Sequence, residues 1–233
     1  MSTSIHRLLK KQQGMSLLEI LVALALGAAL FGALSVNVVD HRRNLNKGLD
    51  DVERAFRFAA SESALRNALI RLHIKLGTEE NLQQSYSLQY GPAGSFVLPK
   101  SILKEAGSES EKEDKKKQQK KMSRRFNKIE EFQESEKELE PLIRFVGIGT
   151  SLKENLITEG EASLFTYPTG EKDSAIVILA SDDEVAYVEI SPFTMEFERE
   201  YKPLTLEGVG EEEILEKQRE LADEIFSEWK NKK

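Results

Sequence analysis

One acidic residue, Glu19, stands at the edge of the most apolar stretch of the chain. Residues 20–34 are all apolar, and the apolar character continues to Val39 with two polar interruptions. A carboxylate in low-dielectric surroundings costs free energy unless a positive charge pairs with it. The spacing therefore predicts a cationic partner for Glu19, and the neighbouring elements decide which cation that is.

The segment from Met15 to Val39 is long enough to cross a membrane as a helix. It spans roughly 37 Å at about 1.5 Å per residue, and a bilayer has a hydrocarbon core of about 30 Å. Arg7, Lys10 and Lys11 precede it without any acidic residue. Such a basic flank favours a cytoplasmic N-terminus, which places the rest of the chain in the periplasm.

Two simple interpretations of this segment are incomplete. A secretory signal peptide has an apolar core of about 7–15 residues before a small-x-small cleavage site. Here the apolar run is longer, and Ala33 with Ser35 forms only a weak site of that kind. A plain signal anchor fits the length and the basic flank, but it leaves Glu19 unexplained. An acidic residue near the centre of such a helix costs about 2.5 to 3.5 kcal/mol, and less toward the interface.

The residues around Gly14 resemble the N-terminus of type IV prepilins, a family that includes the pseudopilins of type II secretion. In that family a short basic leader ends in glycine, and a hydrophobic residue, three further residues and a glutamate follow. Lys10, Lys11, Gly14, Met15 and Glu19 stand in this order here. The resemblance implies that a prepilin peptidase removes the leader, residues 1–14, by cutting between Gly14 and Met15. It also implies N-methylation of the new Met15 amine.

A cut at this position supplies the cation that Glu19 requires. The freed α-amine of Met15 is positively charged and lies four positions before Glu19, in the same subunit or in a neighbouring one. In the family this ion pair sets the register of the subunits during assembly. The alternative is that Glu19 is only an interfacial charge with no such role.

No catalytic constellation is found, so the chain is expected to be no enzyme and to need no cofactor. His6, His41 and His73 are isolated, and no phosphate-binding or nucleophile motif occurs. The chain has no cysteine, which excludes disulfides and thiolate metal sites. Its net charge of −7 argues against a nucleic-acid partner.

One acidic run could suit a metal ion. Asp182, Asp183 and Glu184 offer clustered carboxylates of the kind that Ca²⁺ prefers. The expected spacing of further ligands and of glycine is missing. A hairpin turn is therefore the preferred interpretation, and no metal site is predicted.

The remaining pattern predicts an α+β protein, in which a long N-terminal helix packs on an antiparallel sheet and a second helix ends the chain. We expect the first helix to run from Met15 to about Leu76, with a transmembrane half over 15–39 and a soluble half over 40–76. Its end, 54–76, resembles the alanine- and arginine-rich helix of the H-type minor pseudopilins (the GspH/FimT-like group). The two apolar faces predicted for the soluble half consist of Leu49, Val52, Phe56, Ala59 and Ser63, and of Leu65, Leu69, Leu72 and Leu76.

A β-rich periplasmic domain is predicted over 77–209. Turn residues at 91–94, at 168–170 and at 181–184 separate short apolar or alternating runs. The runs on either side of 181–184 are predicted to form a hairpin. The predicted strands are 85–90, 95–98, 142–148, 163–167, 175–180, 185–190 and 194–200.

Two segments are less typical of the family. Residues 104–140 are dense in charge and poor in apolar residues, which predicts a disordered or solvated helical insertion; a basic partner patch is the alternative. Residues 210–233 form an amphipathic pattern with Leu215, Leu221, Ile225 and Trp229 near one face. This C-terminal helix is predicted to pack on the domain, with docking of another subunit as the alternative.

These features together predict a minor pilin or pseudopilin subunit of a type IV pilus or a type II secretion pseudopilus. It would sit in the bacterial inner membrane by one helix, in contact with lipid, with its C-terminal domain in the periplasm. The resemblance implies a prepilin peptidase, other pilins or pseudopilins and the inner-membrane assembly platform as partners. The alternatives are an anchored periplasmic scaffold or binding module that does not polymerise, and an anchored enzyme whose site is not evident.

Overall fold

The computed structural model describes residues 17–78, 83–93, 117–118, 120–132, 136–140, 142–205 and 210–232, and for 31–40 and 211–212 it describes the backbone alone. The fold is α+β, as predicted. Contacts divide the chain into two units, Met1–Asp40 and His41–Lys233. We refer to the second unit as the body. The elements are α1 (Leu17–Arg66), β1 (Ala68–Leu76), β2 (Ser85–Ala93), β3 (Asn127–Lys128), β4 (Lys137–Glu138), β5 (Arg144–Thr150), β6 (Gly160–Thr166), β7 (Ala175–Ala180), β8 (Glu184–Ile190), β9 (Phe197–Pro203) and α2 (Glu211–Asn231).

The described residues of the body form two antiparallel sheets where the sequence predicted one. Sheet 1 has the order β3-β2-β1-β6, with β4 also pairing with β2, and sheet 2 has the order β5-β7-β8-β9. The chain passes from β4 in sheet 1 to β5 in sheet 2, returns for β6, and then completes sheet 2. Strand pairing across such crossovers is non-local, which is why the number of sheets was not evident from the sequence.

The main core lies where α1 meets the inner faces of both sheets. The first apolar face predicted for the helix is confirmed, because Leu49, Val52, Phe56, Ala59 and Ser63 are all at most 1% exposed. They pack with residues of both sheets, such as Leu72, Leu88, Val177 and Val188. Each of these large side chains contributes about 1.5–3 kcal/mol by leaving water.

Gly48 lets α1 approach the sheet closely. A Cβ atom at this position would lie 2.7 Å from Cδ1 of Ile143 and 2.9 Å from Cδ2 of Leu179. Both distances are shorter than ordinary van der Waals contact, so a larger residue would push the helix away from sheet 2. Gly48 is therefore a packing residue within a continuous helix.

The prediction that the first helix continues to Leu76 is wrong. The helix ends at Arg66, Asn67 takes a positive φ of 45°, and β1 begins at Ala68. Within β1 the side chains alternate strictly: the inward residues Ile70, Leu72, Ile74 and Leu76 alternate with the outward residues Leu69, Arg71, His73 and Lys75. The leucines at 65, 69, 72 and 76 also fit a helical spacing. The sequence therefore matches the helical period as well as the strand period here, and the pattern alone favoured the helix. Leu65 is 80% exposed, so the second apolar face predicted for the helix does not pack on the core.

Strand β2 continues through the residues predicted as a turn. Ala68 pairs with Ala93 and Ile70 pairs with Tyr90, so Gly91 and Pro92 together oppose Leu69. This two-against-one pairing is a β-bulge, where a proline can sit in a sheet without losing a ladder hydrogen bond. The predicted turn is therefore wrong at these residues, and the predicted strand 95–98 lies outside the described residues.

The other strands agree with the sequence to within three residues at each end. The run 175–180 coincides with β7, and the predicted hairpin is confirmed as β7 and β8. In β9 the alternation is confirmed as well, with Phe197 half-buried between exposed Glu196 and Glu198.

The predicted insertion, 104–140, is partly wrong. Phe126, Ile129 and Phe132 are buried, and β3 and β4 of this segment extend sheet 1 along β2. The backbone N–H of Ile129 donates to the carbonyl of Leu88 at 2.9 Å. Few apolar residues are present, but these three lie where the sheet or α1 covers them. The rest of the segment, 104–116, 119, 133–135 and 141, lies outside the described residues.

Replacing Ile129 by alanine should lower the free energy of unfolding by about 2–5 kcal/mol, because it leaves a cavity at a position only 1% exposed. Glu130→Ala, at the next and exposed position, is the matched control and should change it by less than about 0.5 kcal/mol. Urea unfolding of the full chain in detergent, followed by fluorescence of the single tryptophan, measures both. Equal midpoints for the two variants would mean that the segment is a dispensable insertion after all.

Helix α2 covers the outer face of sheet 2, as predicted for the C-terminal helix. Ala222, Ile225, Phe226 and Trp229 are buried against outward residues of the sheet that include Val146, Ile176 and Tyr187. A Cβ atom at Gly149 would lie 2.4 Å from the Phe226 ring. Gly149 in β5 therefore makes room for the helix.

Candidate functional site

The structure places Glu19 in the first turn of α1, which begins at Leu17. Glu19 is exposed. A negative charge in the first turn of a helix is favourable by about 0.3–1 kcal/mol, because unpaired backbone N–H groups give that end a positive potential. Gly14 and Met15, the predicted cleavage and methylation residues, lie outside the described residues.

Large apolar side chains are exposed around the whole circumference of the first turns of α1. Leu17, Leu18 and Leu24 are 80, 72 and 68% exposed. Successive residues of a helix point about 100° apart, so the exposed apolar positions between 17 and 30 are distributed around the whole helix, and Glu19 is the one charged residue among them. The same exposure is found for Ile20, Leu21, Val22, Leu26 and Leu30. A helix of this kind is suited to an apolar environment outside its own chain.

Small residues lie along the same stretch. Ala25 and Ala29 are one turn apart and exposed, and a Cβ atom at Gly27 would meet no atom within 4 Å. Small residues allow helices to approach one another closely. The side chains of Gly32 and Ala33, the other members of the predicted small-residue face, lie outside the described residues. Among the described residues no helix combines the length and apolar character needed to cross a membrane.

Ion pairs hold the first residues of the body to the β7–β8 turn. Nδ1 of His41 lies 2.6 Å from Oδ1 of Asp183, and Arg42 pairs with Glu184. The Arg42 guanidinium also lies 3.7 Å from the centre of the Tyr201 ring, within the range of a cation–π contact. These contacts fix where α1 enters the body.

The acidic run considered as a Ca²⁺ site is the predicted hairpin turn. The N–H of Ser181 donates to the carbonyl of Glu184 at 2.9 Å, which closes the turn. Asp182 pairs with Arg144 at 3.1 Å, and Asp183 and Glu184 pair with α1 as described. All three carboxylates therefore have basic partners. In the described ranges no group of three or more side chains is arranged to hold a metal ion.

Strand β9 runs antiparallel to α1 and holds one side of it. Arg199 donates from Nε to Glu53 at 2.5 Å and from Nη2 to Asp50 at 2.7 Å, and these two carboxylates raise its pKa. The hydroxyl of Tyr201 donates to Oδ1 of Asn46 at 2.6 Å. The ladder of contacts positions α1 along the edge of sheet 2.

The segment 131–140 holds the opposite side of α1. Asp51 accepts from both Arg54 and Lys137, and the Phe58 and Phe132 rings lie with their centres 5.0 Å apart. Further pairs are Lys47 with Glu140 and Arg66 with Glu131. Residues 41–66 of α1 are thus fixed on both flanks and on the core side.

A cleft of about 610 Å³ opens between sheet 1 and sheet 2. Its lining includes Arg144, Asp182 and Arg219. These groups already form ion pairs, Arg144 with Asp182 and Arg219 with Glu159 at 3.2 Å. The charges in the cleft therefore serve the fold, and no acid–base or nucleophile pair is formed among its described residues.

A row of buried polar residues on the outer face of sheet 1 was not predicted. Arg71 is 2% exposed, donates from Nε and Nη2 to Oε1 of Gln89 at 2.9 and 2.6 Å, and lies 4.1 Å from the centre of the Phe126 ring. Nδ1 of His73 lies 3.2 Å from the Ser163 hydroxyl. Burial lowers the pKa of Arg71 to about 10. The period-two alternation of β1 is the signal that would have located these residues.

His73 should make the stability of the body depend on pH. Burial, aided by the Arg71 charge, lowers the pKa of His73 from 6.5 to about 4. The unfolded chain therefore binds a proton between pH 6.5 and 4 that the folded chain does not, and the free energy of unfolding falls as the pH falls through this window. The loss at pH 5 is expected to be about 2 kcal/mol relative to pH 7.5.

The His73→Gln variant isolates this effect from other titrating groups. Burial raises the pKa of Asp173 to about 6, which changes stability in the opposite sense over the same window. Urea unfolding of wild type and variant at pH 7.5 and 5 should show the stability advantage of wild type shrinking by about 2 kcal/mol. An unchanged difference would mean that His73 is as easily protonated in the folded chain as in water.

No curated protein and no solved structure matches this chain significantly. The two sheets and the helices are therefore assigned from this chain's own hydrogen bonds and packing contacts. One family model does match: residues 9–35 carry the prokaryotic N-terminal methylation motif, a prepilin-type leader with the start of its helix, which supports a type IV pilin-like protein.

Proposed function

We propose that this chain is a minor pilin-like subunit that is processed between Gly14 and Met15, methylated on Met15 and assembled through α1 into a type IV pilus or a type II secretion pseudopilus. In this proposal it acts as a substrate of the prepilin peptidase and as a structural subunit, and it catalyses no reaction itself. The finer assignment is to an H-type minor pseudopilin, which the alanine- and arginine-rich end of α1 ahead of a β-rich body supports.

The observation that carries the proposal is the methylation motif at residues 9–35 leading into a helix with exposed apolar side chains on every side. A helix that is apolar on every side is unfavourable in water, so a domain that stays in solution gains nothing from it. Before assembly, lipid covers it, and 15–39 spans the inner membrane with the body in the periplasm. After assembly, the apolar segments of neighbouring subunits cover one another.

Glu19 has the central role in this proposal. Glu19 lies in the first turn of α1, among exposed apolar side chains, so in an assembly it would meet the apolar segments of neighbouring subunits. A charged pair between Glu19 and the Met15 amine of a neighbour would align subunits, because any other register leaves both charges in apolar surroundings without a partner.

The mass of the mature protein tests the processing step. Intact-mass measurement of the chain purified from membranes should show the loss of residues 1–14 and the addition of one methyl group. Gly14→Val should retain the leader, because it removes the glycine with which the leader ends in the family pattern, while Gly27→Val in α1 should be processed normally. A full-length, unmodified wild-type N-terminus would favour the plain membrane anchor.

The anchored scaffold that does not polymerise is the competing function. It predicts a processed or unprocessed chain that is always recovered with membranes and never in sheared filaments. Fractionation after shearing, with antibody against the body, separates the two functions without further assumptions.

A further inference from the structure

The body carries a positively charged surface that the proposed function does not use. Residues 115–125 contain seven basic and no acidic side chains, in a chain with a net charge of −7. Lys120, Lys121 and Arg124 are exposed, and we call these three the basic patch. Its charge is opposite to that of the protein as a whole, so it is suited to an acidic partner.

The basic patch is fixed to the folded body. Met122 and Phe126, which lie between and beside its members, pack against Leu69 and Phe165 on the outer face of sheet 1. The carbonyl of Lys120 accepts from the N–H of Arg124 at 3.2 Å, which closes the turn that carries all three cations. The patch therefore has a defined position on the surface.

An acidic surface lies on α2. Residues 211–224 contain seven acidic and two basic side chains. Glu213, Glu216 and Glu220 are exposed and follow one another at spacings of three and four, so they share one face of the helix. We call them the acidic stripe. The two cations nearby are directed elsewhere, since Lys217 donates to the Thr205 carbonyl and Arg219 pairs with Glu159.

The two surfaces lie at opposite ends of the body. The basic patch precedes β3, which pairs with Gln89 and Tyr90 of β2 beside the start of β1, where α1 ends. The acidic stripe lies near the β7–β8 turn, because the side chain of Gln218 donates to the Ser181 carbonyl at 2.7 Å. That turn holds His41, where α1 enters the body. Residues His41 to Arg66 of α1, which rises about 1.5 Å per residue, separate the two ends by roughly 37 Å.

We propose that the basic patch of one copy docks on the acidic stripe of the next copy, head to tail. The two surfaces are different and face opposite ends, so the contact is heterologous and repeats as an open row instead of closing into a dimer. Opposite charges at the two ends favour this polarity, because the reversed orientation brings like charges together. The setting in a filament rests on the proposed function, whereas the contact itself needs only two adjacent copies.

The absence of cysteine allows a direct test in the full chain. One chain carries Lys121→Cys and a second carries Glu216→Cys; both are purified in detergent, mixed and treated with a short bismaleimide. The proposal expects a cross-linked pair of the two chains at 50 mM salt, and about a fivefold lower yield at 500 mM because salt screens exposed charges. A mixture of Lys121→Cys with Glu196→Cys, which is exposed outside both surfaces, is the matched control and should give little product.

Charge reversal completes the test. Adding Lys120→Glu and Arg124→Glu to the Lys121→Cys chain should abolish the product, and adding Glu213→Lys and Glu220→Lys to the Glu216→Cys chain should restore it. Equal yields in the control mixture, or no effect of salt and charge reversal, would overturn the proposal. So would salt-sensitive binding of the patch to phosphatidylglycerol vesicles without any cross-link. The intact mass of the same samples reports on leader removal separately, so a failed contact and a failed processing step are distinguishable.

Discussion

Replacing Glu19 by valine should abolish incorporation into filaments while leaving membrane insertion intact. Valine makes the first turns of α1 more apolar, so insertion into lipid becomes no less favourable. In the proposed assembly, the methylated amine of Met15 would then enter the apolar interior without a counter-charge. Removing one partner of a buried ion pair typically costs about 3–5 kcal/mol, which corresponds to a loss of incorporation of more than a hundredfold.

The comparison with two further variants makes this experiment specific. Glu19→Asp keeps the charge on a shorter side chain and should retain part of the incorporation. Leu18→Val changes the neighbouring exposed residue by one methylene group and should assemble normally. The measurement is the fraction of each variant in sheared filaments relative to membranes. Wild-type amounts of Glu19→Val in filaments would remove the ion pair from the mechanism.

Replacing Phe56 by alanine should strongly destabilise the body. The Phe56 side chain is fully buried in the main core, and its ring lies 6.3 Å from that of Phe197 in β9. Truncation of a buried phenylalanine to alanine costs about 3–5 kcal/mol in free energy of unfolding. Because a domain is stable by only about 5–15 kcal/mol, this change removes a large share of the total.

Leu65 provides the matched control on the same helix. It is 80% exposed, so Leu65→Ala should alter the free energy of unfolding by less than about 0.5 kcal/mol. Urea unfolding followed by the fluorescence of Trp229, which lies on α2 and is buried against sheet 2, reports both changes in the full chain. A Phe56→Ala midpoint equal to that of Leu65→Ala would show that α1 contributes little to the core.

Local features of this protein were determined by the sequence itself. The leader motif and the apolar run after Glu19 consist of neighbouring residues, so their order alone identifies them. The β7–β8 hairpin has the same character, since a short polar turn joins two apolar runs and fixes their pairing. Helix α2 was also predictable, because its apolar face repeats at helical spacing over about four turns, from Leu215 to Trp229.

The tertiary structure decided the features that depend on distant partners. The leucines from 65 to 76 fit a helix and a strand equally well, and pairing of β1 with β2 and β6 selects the strand. Phe126 and Ile129 stand in a charge-dense segment whose composition predicts solvation, and they are buried because sheet 1 offers them a complementary surface. The polarity of the body has the same origin: folding brings two oppositely charged segments, about ninety residues apart in the chain, to opposite ends. Burial and pairing are properties of contacts between remote residues, and local pattern carries no information about them.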